Sequence, residues 1–249
     1  MIYTLDIGNT RTKLAMFENN SLLNTEYLST KNLQEELLFF LKKIETKPKI
    51  IMASVVPIDP TLLKWLETHT DFIQITHATP LPITNKYQTP HTLGLDRLAV
   101  AVGATILYPN TPRLIIDAGT CITYDFVNAK DEYLGGAISP GFQLRYKALN
   151  DYTAKLPYLE REEINYLIGQ NTQESIQSGV INGIIAEIDS IIDQYKKNYS
   201  DLTIILTGGD TLFLARRLKN IIFANSNFLS ESLNYIYQYI IENGKKNHS

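Results

Sequence analysis

Asp6, Gly8, Asn9, Thr10, Thr12 and Lys13 fall within eight residues of "LDIGNTRTK", between two apolar runs. These are the groups a polyphosphate needs. Glycine lets backbone approach a phosphate with no Cβ in the way. Short hydroxyl and amide groups supply hydrogen bonds, and a lysine ammonium supplies a compact positive charge. A carboxylate serves a hydrated Mg²⁺, which keeps several of its waters. The P-loop pattern Gly-x4-Gly-Lys-Ser/Thr before a helix is absent, and the residues after the turn read as a strand. The same set returns in "IDAGTC" as Asp117, Gly119 and Thr120, without a lysine, Asp117 following Asp6 at a spacing of 111 positions. Asp, Asn and Gly are also the ordinary residues of β-turns, so either turn alone is accounted for as structure. Two such turns at matching places in two matching strand orders point to a nucleotide's phosphate tail.

Other positions carry chemistry more ambiguously. Asp96 in "LGLDRLAVAVGA" stands before an apolar-periodic helix with Arg97 beside it. Aspartate there is a favoured helix N-cap. It would also serve as the base that orients and deprotonates an attacking hydroxyl, with Arg97 gripping a substrate carboxylate in bidentate fashion. "ILTGGD" ends a strand before a helix, which suits either a glycine loop or a flat ligand such as adenosine against bare backbone. "YLGGAISPG" reads equally as a tight strand exit or a pocket wall. Gly179 and Gly183, four apart on one helix face, allow close packing by a neighbouring helix or a second subunit. Cys121 lies in a strand-like apolar run and is expected to be a buried, inert thiol. The four histidines show no metal-ligand spacing, so no zinc site is expected.

The elements that must position these residues form a repeat. "IYTLDIG" and "TKLAMFE" read as strands around the first turn, followed by a third strand, a helix over "NLQEELLFFLKKIE" and the buried strand "KIIMASVVP". Pro60 opens a further helix, at a position where its missing N–H costs little. A Pro-rich connector over 78–93 leads to the Asp96 helix. From residue 113 the order of strands, helix and strand restarts around the second turn. It closes with the helix "LSESLNYIYQYIIENG" and a frayed tail, "KKNHS". The expected division is 1–112 and 113–249, two copies of one module with both Asp-x-Gly turns opening into a shared cleft.

Gross composition narrows the function classes. The 249 residues are 44% hydrophobic and 20% charged, ordinary for a globular protein, with a net charge of −3. Nucleic-acid binding wants a basic excess, so a large nucleic-acid footprint is not expected. No apolar run reaches about 18 residues, so no membrane span is expected. "MIYTLDIGNT" shows no signal-peptide pattern, which makes a cytoplasmic protein the expectation.

"DIGNTRTK" (6–13), "GLDR" (94–97), "DAGT" (117–120) and "TGGD" (207–210), in that order and spread over most of the chain, resemble the type III pantothenate kinases. "YLGGAISPG" and "NTQESIQSG" add to the match, while Ser232-Leu233 stands where the family pattern has Gly-Leu. The resemblance implies the acetate and sugar kinase/Hsp70/actin fold: an α/β protein of two ribonuclease-H-like domains with mixed sheets around an interdomain cleft. It implies ATP-dependent phosphorylation of pantothenate to 4'-phosphopantothenate, the first step of coenzyme A synthesis. Asp6, Ile7, Gly8, Asn9, Thr10, Arg11, Thr12 and Lys13 become the ATP phosphate loop, and Thr120 a further ATP contact. Asp96 becomes the proton acceptor. Tyr87, Gly94, Leu95, Asp96, Arg97 and Thr172 become pantothenate contacts. Asp117 becomes the ligand of a monovalent cation, K⁺ or NH₄⁺, beside ATP with Mg²⁺, and the family is typically homodimeric. The Asp-x-Gly turns do not name the acceptor. Another small-molecule kinase of this fold, or a nucleotide-binding regulator without catalysis, remains the alternative reading.

Overall fold

The computed structural model describes residues 1–9, 11–44 and 46–246. Thr10 and the last three residues of the tail lie outside them. Two compact units form: 1–109 with 131–133 and 227–249, and 110–130 with 134–226.

The first unit is built on a five-stranded sheet: β1 (Ile2–Ile7), β2 (Arg11–Glu18), β3 (Ser21–Ser29), β4 (Lys49–Ser54) and β5 (Asp71–Gln74), in the order β3-β2-β1-β4-β5. β1 pairs antiparallel with β2 and parallel with β4. Period-two alternation puts Tyr3, Leu5 and Ile7 on one face. There they meet Leu33, Leu37 and Leu41 of α1 (Leu33–Leu41) and Leu62 and Leu66 of α2 (Pro60–His69). Pro60 occupies the first turn of α2 as expected, and Asp59 caps it by accepting from the Thr61 N–H at 2.7 Å.

Thr4 and Asp6 point to the opposite face. That side is covered by α3 (Leu95–Leu107) and by α7 (Phe228–Lys246), which packs against α3, β1 and β4. The closing helix therefore belongs to the first unit, not to the second half where the repeat had put it. Its apolar stripe, Leu229, Leu233, Ile236 and Tyr237, is buried there. Ser232 is also fully buried, and its hydroxyl occupies the space beside Gly103 of α3 that a Cβ would need. The residue standing in place of the family's glycine is thus a small residue at a tight helix crossing.

The second unit repeats the strand order. β7 (Arg113–Ala118), β8 (Cys121–Val127), β9 (Glu132–Pro140), β10 (Thr203–Thr207) and β11 (Phe223–Ala224) follow the sequence β11-β10-β7-β8-β9. β7 pairs antiparallel with β8 and parallel with β10, as β1 does with β2 and β4. A short β6 (Thr84–Asn85) extends this order by pairing with Glu132 and Tyr133, all four residues being counted in the first unit. Leu114, Ile116 and Ala118 pack on α4 (Phe142–Asp151), α5 (Thr172–Asn198) and α6 (Thr211–Ala215). In the 27-residue α5, Ile176, Val180, Ile184, Ile188 and Ile192 recur every fourth position, the spacing that keeps one helix face on the sheet.

Candidate active site

Asp6, next to last in β1, lies directly opposite Lys13 of β2. Between them Gly8 closes the turn, its N–H donating to Arg11 O at 3.1 Å. Thr30 holds the turn from outside: its hydroxyl donates to Gly8 O at 3.0 Å and lies 3.2 Å from the buried Thr12 hydroxyl. Arg11 points its guanidinium over the Tyr27 ring, 5.6 Å from the centroid. The Lys13 ammonium donates to Asn227 Oδ1 at 2.7 Å.

Asp96 joins this group electrostatically. The Asp6 carboxyl is pushed up to about 7, first by burial and then by the negative charge of Asp96, with Lys13 pulling it back. Asp6, Lys13 and Asp96 thus share one charge neighbourhood, although 90 residues separate Asp6 from Asp96. Asp96 is not the N-cap of α3. Gly94 holds that place, and Asp96 lies one turn-position inside, its Oδ1 accepting from the Arg97 N–H at 2.8 Å. A Cβ on Gly94 would fall 2.3 Å from that same Oδ1, so only glycine leaves the carboxylate where it is. Arg97 is buried, and Leu95 is the first residue of the helix. Tyr87 is half-buried, its ring 6.1 Å from that of Tyr133.

In the second unit Asp117, next to last in β7, lies opposite Thr123. Gly119 N–H donates to Cys121 O at 2.9 Å, closing a hairpin one residue shorter than the first. Thr120 is exposed. Cys121 is exposed as well, contrary to expectation, because it opens β8 at the turn and is not interior to the strand. Two distant glycines buttress this turn. Gly141 N–H donates to Thr120 O at 3.0 Å, and a Cβ there would sit 2.1 Å from Gly119 O. Gly208, with φ of +94°, approaches so closely that a Cβ would lie 2.4 Å from Asp117 Oδ1. The first glycine of "TGGD" therefore serves the chain's own turn, while Gly209 has nothing within 4 Å of its Cβ position. Asp210 N–H donates to Ala118 O at 3.0 Å, and its carboxylate pairs with Arg161. Sequence reasoning missed Arg161, Thr30 and Asn227, since none lies in a motif.

Thr172 is the exposed first residue of α5, after Asn171, whose side chain caps the helix. It lines a groove of about 860 Å³ with Arg145, Leu149, Tyr152, Ile176 and Gly179. Among the described residues nothing lies within 4 Å of the Gly179 Cβ position, and the Arg145 guanidinium of α4 lies 3.9 Å from that of Gly183. Among the described residues no three His, Cys, Asp or Glu side chains converge as a metal cage. No helix among them is long and apolar enough to cross a membrane.

Residues 2–194 match the family model described as type III pantothenate kinase. A type III pantothenate kinase of Flavobacterium johnsoniae is 49% identical over 243 residues, covering 98% of this chain and 100% of its own. One from Christiangramia forsetii is 45% identical over 239 residues, covering 96% and 98%. Among solved structures, a Campylobacter jejuni protein described as a Baf family transcriptional activator gives a TM-score of 0.61 at 20% identity, covering 96% and 98%. A glucokinase from an Antarctic psychrotroph gives 0.52 at 12% identity, with the same coverage. At such identities the likeness is one of fold, and it agrees with an actin-like α/β protein carrying two mixed sheets of one strand order.

Proposed function

The chain belongs to the type III pantothenate kinase family, and from that premise we propose how its residues carry the reaction. It is a pantothenate kinase, transferring the terminal phosphoryl group of ATP to pantothenate in coenzyme A biosynthesis. The acceptor's terminal hydroxyl oxygen attacks the γ-phosphorus, the β–γ bridging P–O bond breaks, and ADP leaves. Asp96 takes the hydroxyl proton. In a loose phosphoryl-transfer transition state that proton leaves late, so the carboxylate's main task is to orient the hydroxyl.

The observation that carries this assignment is the placement of Lys13 directly across the β1–β2 ladder from Asp6, with Asp96 adding its negative charge to the same neighbourhood. A lysine beside two carboxylates at a strand end offers a positive contact for phosphate and an acceptor for a proton. The turn 6–13 contacts the phosphates, and Thr120 adds a contact from the second turn. Gly94 to Arg97 and Tyr87 bind pantothenate, and the guanidinium of the buried Arg97 is the group suited to grip its carboxylate in bidentate fashion.

Mg²⁺, when bound, would neutralise phosphate charge. Asp6, the carboxylate beside the first turn, would hold such an ion, which keeps several of its waters. Asp117, a half-exposed carboxylate at a strand end, suits a hard monovalent cation, K⁺ or NH₄⁺. The groove at the start of α5, with Tyr152 89% exposed beside a bare Gly179, supports a homodimer in which Thr172 reaches substrate. A cytoplasmic location, where ATP and K⁺ are plentiful, completes the reading.

ATP consumption with pantothenate, set against a panel of sugars and acetate with and without K⁺, tests it. Turnover with pantothenate that needs K⁺ is the expected result. Turnover with a sugar alone would overturn the acceptor, and ATP binding without turnover would overturn the activity.

A further inference from the structure

Asn227 lies 214 positions from Lys13 in the chain and belongs to none of the motifs at the phosphate turns. Its amide oxygen nevertheless accepts from the Lys13 ammonium at 2.7 Å. Its own position is fixed from two sides. Its carbonyl accepts from Glu231 N–H at 2.9 Å, which makes it the entry residue of α7. The next residues, Phe228 and Leu229, are anchored in the first unit's core at 2% and 9% exposure.

A lysine side chain has four rotatable bonds and a strongly hydrated head, so a fixed acceptor reduces what must be ordered when phosphate arrives. The chemistry of the acceptor matters. A carboxylate at 227 would hold the ammonium and also cancel its charge, whereas an amide oxygen holds it and leaves the charge for an anion. The negative charge of this neighbourhood comes from Asp6, directly across the β1–β2 ladder, and from Asp96.

We propose that Asn227 is a positioning residue for phosphoryl transfer, fixing the Lys13 ammonium at the first phosphate turn without neutralising it. The inference rests on Lys13 being a phosphate contact. It makes the closing helix part of the nucleotide machinery and gives a chemical reason for an amide at its entrance.

Steady-state kinetics of the full chain test it with Asn227→Ala, Asn227→Asp, Lys13→Met and the double variant Lys13→Met/Asn227→Ala. Asn227→Ala is expected to raise KM for ATP about tenfold, the size of one charge-assisted hydrogen bond, with KM for pantothenate changed by less than about twofold. Asn227→Asp, which keeps the acceptor, is expected to raise it as well, through charge. In the Lys13→Met background the Asn227→Ala change is expected to have no further effect. Should Asn227→Ala weaken the fold, Asn227→Ser keeps a good helix-entry residue that is too short to reach Lys13, and the same ATP effect is expected. An equal, additive loss in the Lys13→Met background would overturn the proposal, as would an unchanged KM for ATP in Asn227→Ala. An unaffected Lys13→Met enzyme would instead remove the phosphate-contact reading beneath it.

Discussion

Across the β7–β8 ladder Asp117 faces Thr123, at the register position that places Lys13 opposite Asp6 in the first sheet. The duplicated module thus keeps its carboxylate twice and its positive charge once. Thr123 has turned to another task, donating to the buried Asp125 carboxylate at 3.0 Å.

This asymmetry separates the effects of two matched substitutions. Lys13→Met is expected to lower kcat/KM for ATP by about 100-fold or more, the scale of losing a preorganised charge at a transferring phosphoryl group. Thr123→Val is expected to cost about 1–3 kcal/mol of stability by leaving a buried carboxylate short of a donor. Its activity per folded molecule should change little. Kinetics and chemical denaturation of both variants would show the crossing; equal kinetic losses would contradict it.

Asp6 makes the ligand-free protein sensitive to pH. Its carboxyl is raised from 3.8 to about 7 by burial and by Asp96, against the pull of Lys13. A group raised in the folded state stabilises the fold below its unfolded value and gives that up as pH climbs through the folded one. The thermal midpoint of the wild-type chain should therefore fall relative to Asp6→Asn between about pH 4 and pH 7, then run parallel above that. A constant difference across the range would contradict the shift.

The two glycines of "TGGD" should respond unequally to alanine. Gly208→Ala meets Ala118 O at 2.3 Å and a φ of +94°, and is expected to lose about 1–3 kcal/mol. Gly209→Ala meets open space and should leave the unfolding midpoint within about 0.5 kcal/mol of the original. Adenosine packing against this backbone would still register in Gly209→Ala as a raised KM for ATP. Denaturation curves of the pair would settle the order.

Much of this was legible because short-range chemistry wrote it. Alternating apolar residues before each Asp-x-Gly turn fixed β1 and β7, and the repeat announced two sheets of one strand order. What the sequence hid was long-range. The amphipathic stripe of α7 says that one face is buried but not against which sheet, so its return to the first unit was missed, and Asn227 with it. Cys121 was misread because an apolar run does not show which residue begins it at a turn. Asp96 looked like a cap because aspartate is favoured there. Gly94 took that place because the carboxylate folds back where a Cβ at 94 would be.

Asp96→Asn bears most directly on the central claim. Asparagine retains the oxygen that accepts from the Arg97 N–H, so the thermal midpoint should stay put. Rapid-quench measurement of phosphoryl transfer from ATP to pantothenate should show a rate about 100-fold or more below wild type, as loss of a general base predicts. An asparagine variant that folds normally and transfers phosphate at the wild-type rate would contradict the assignment of Asp96.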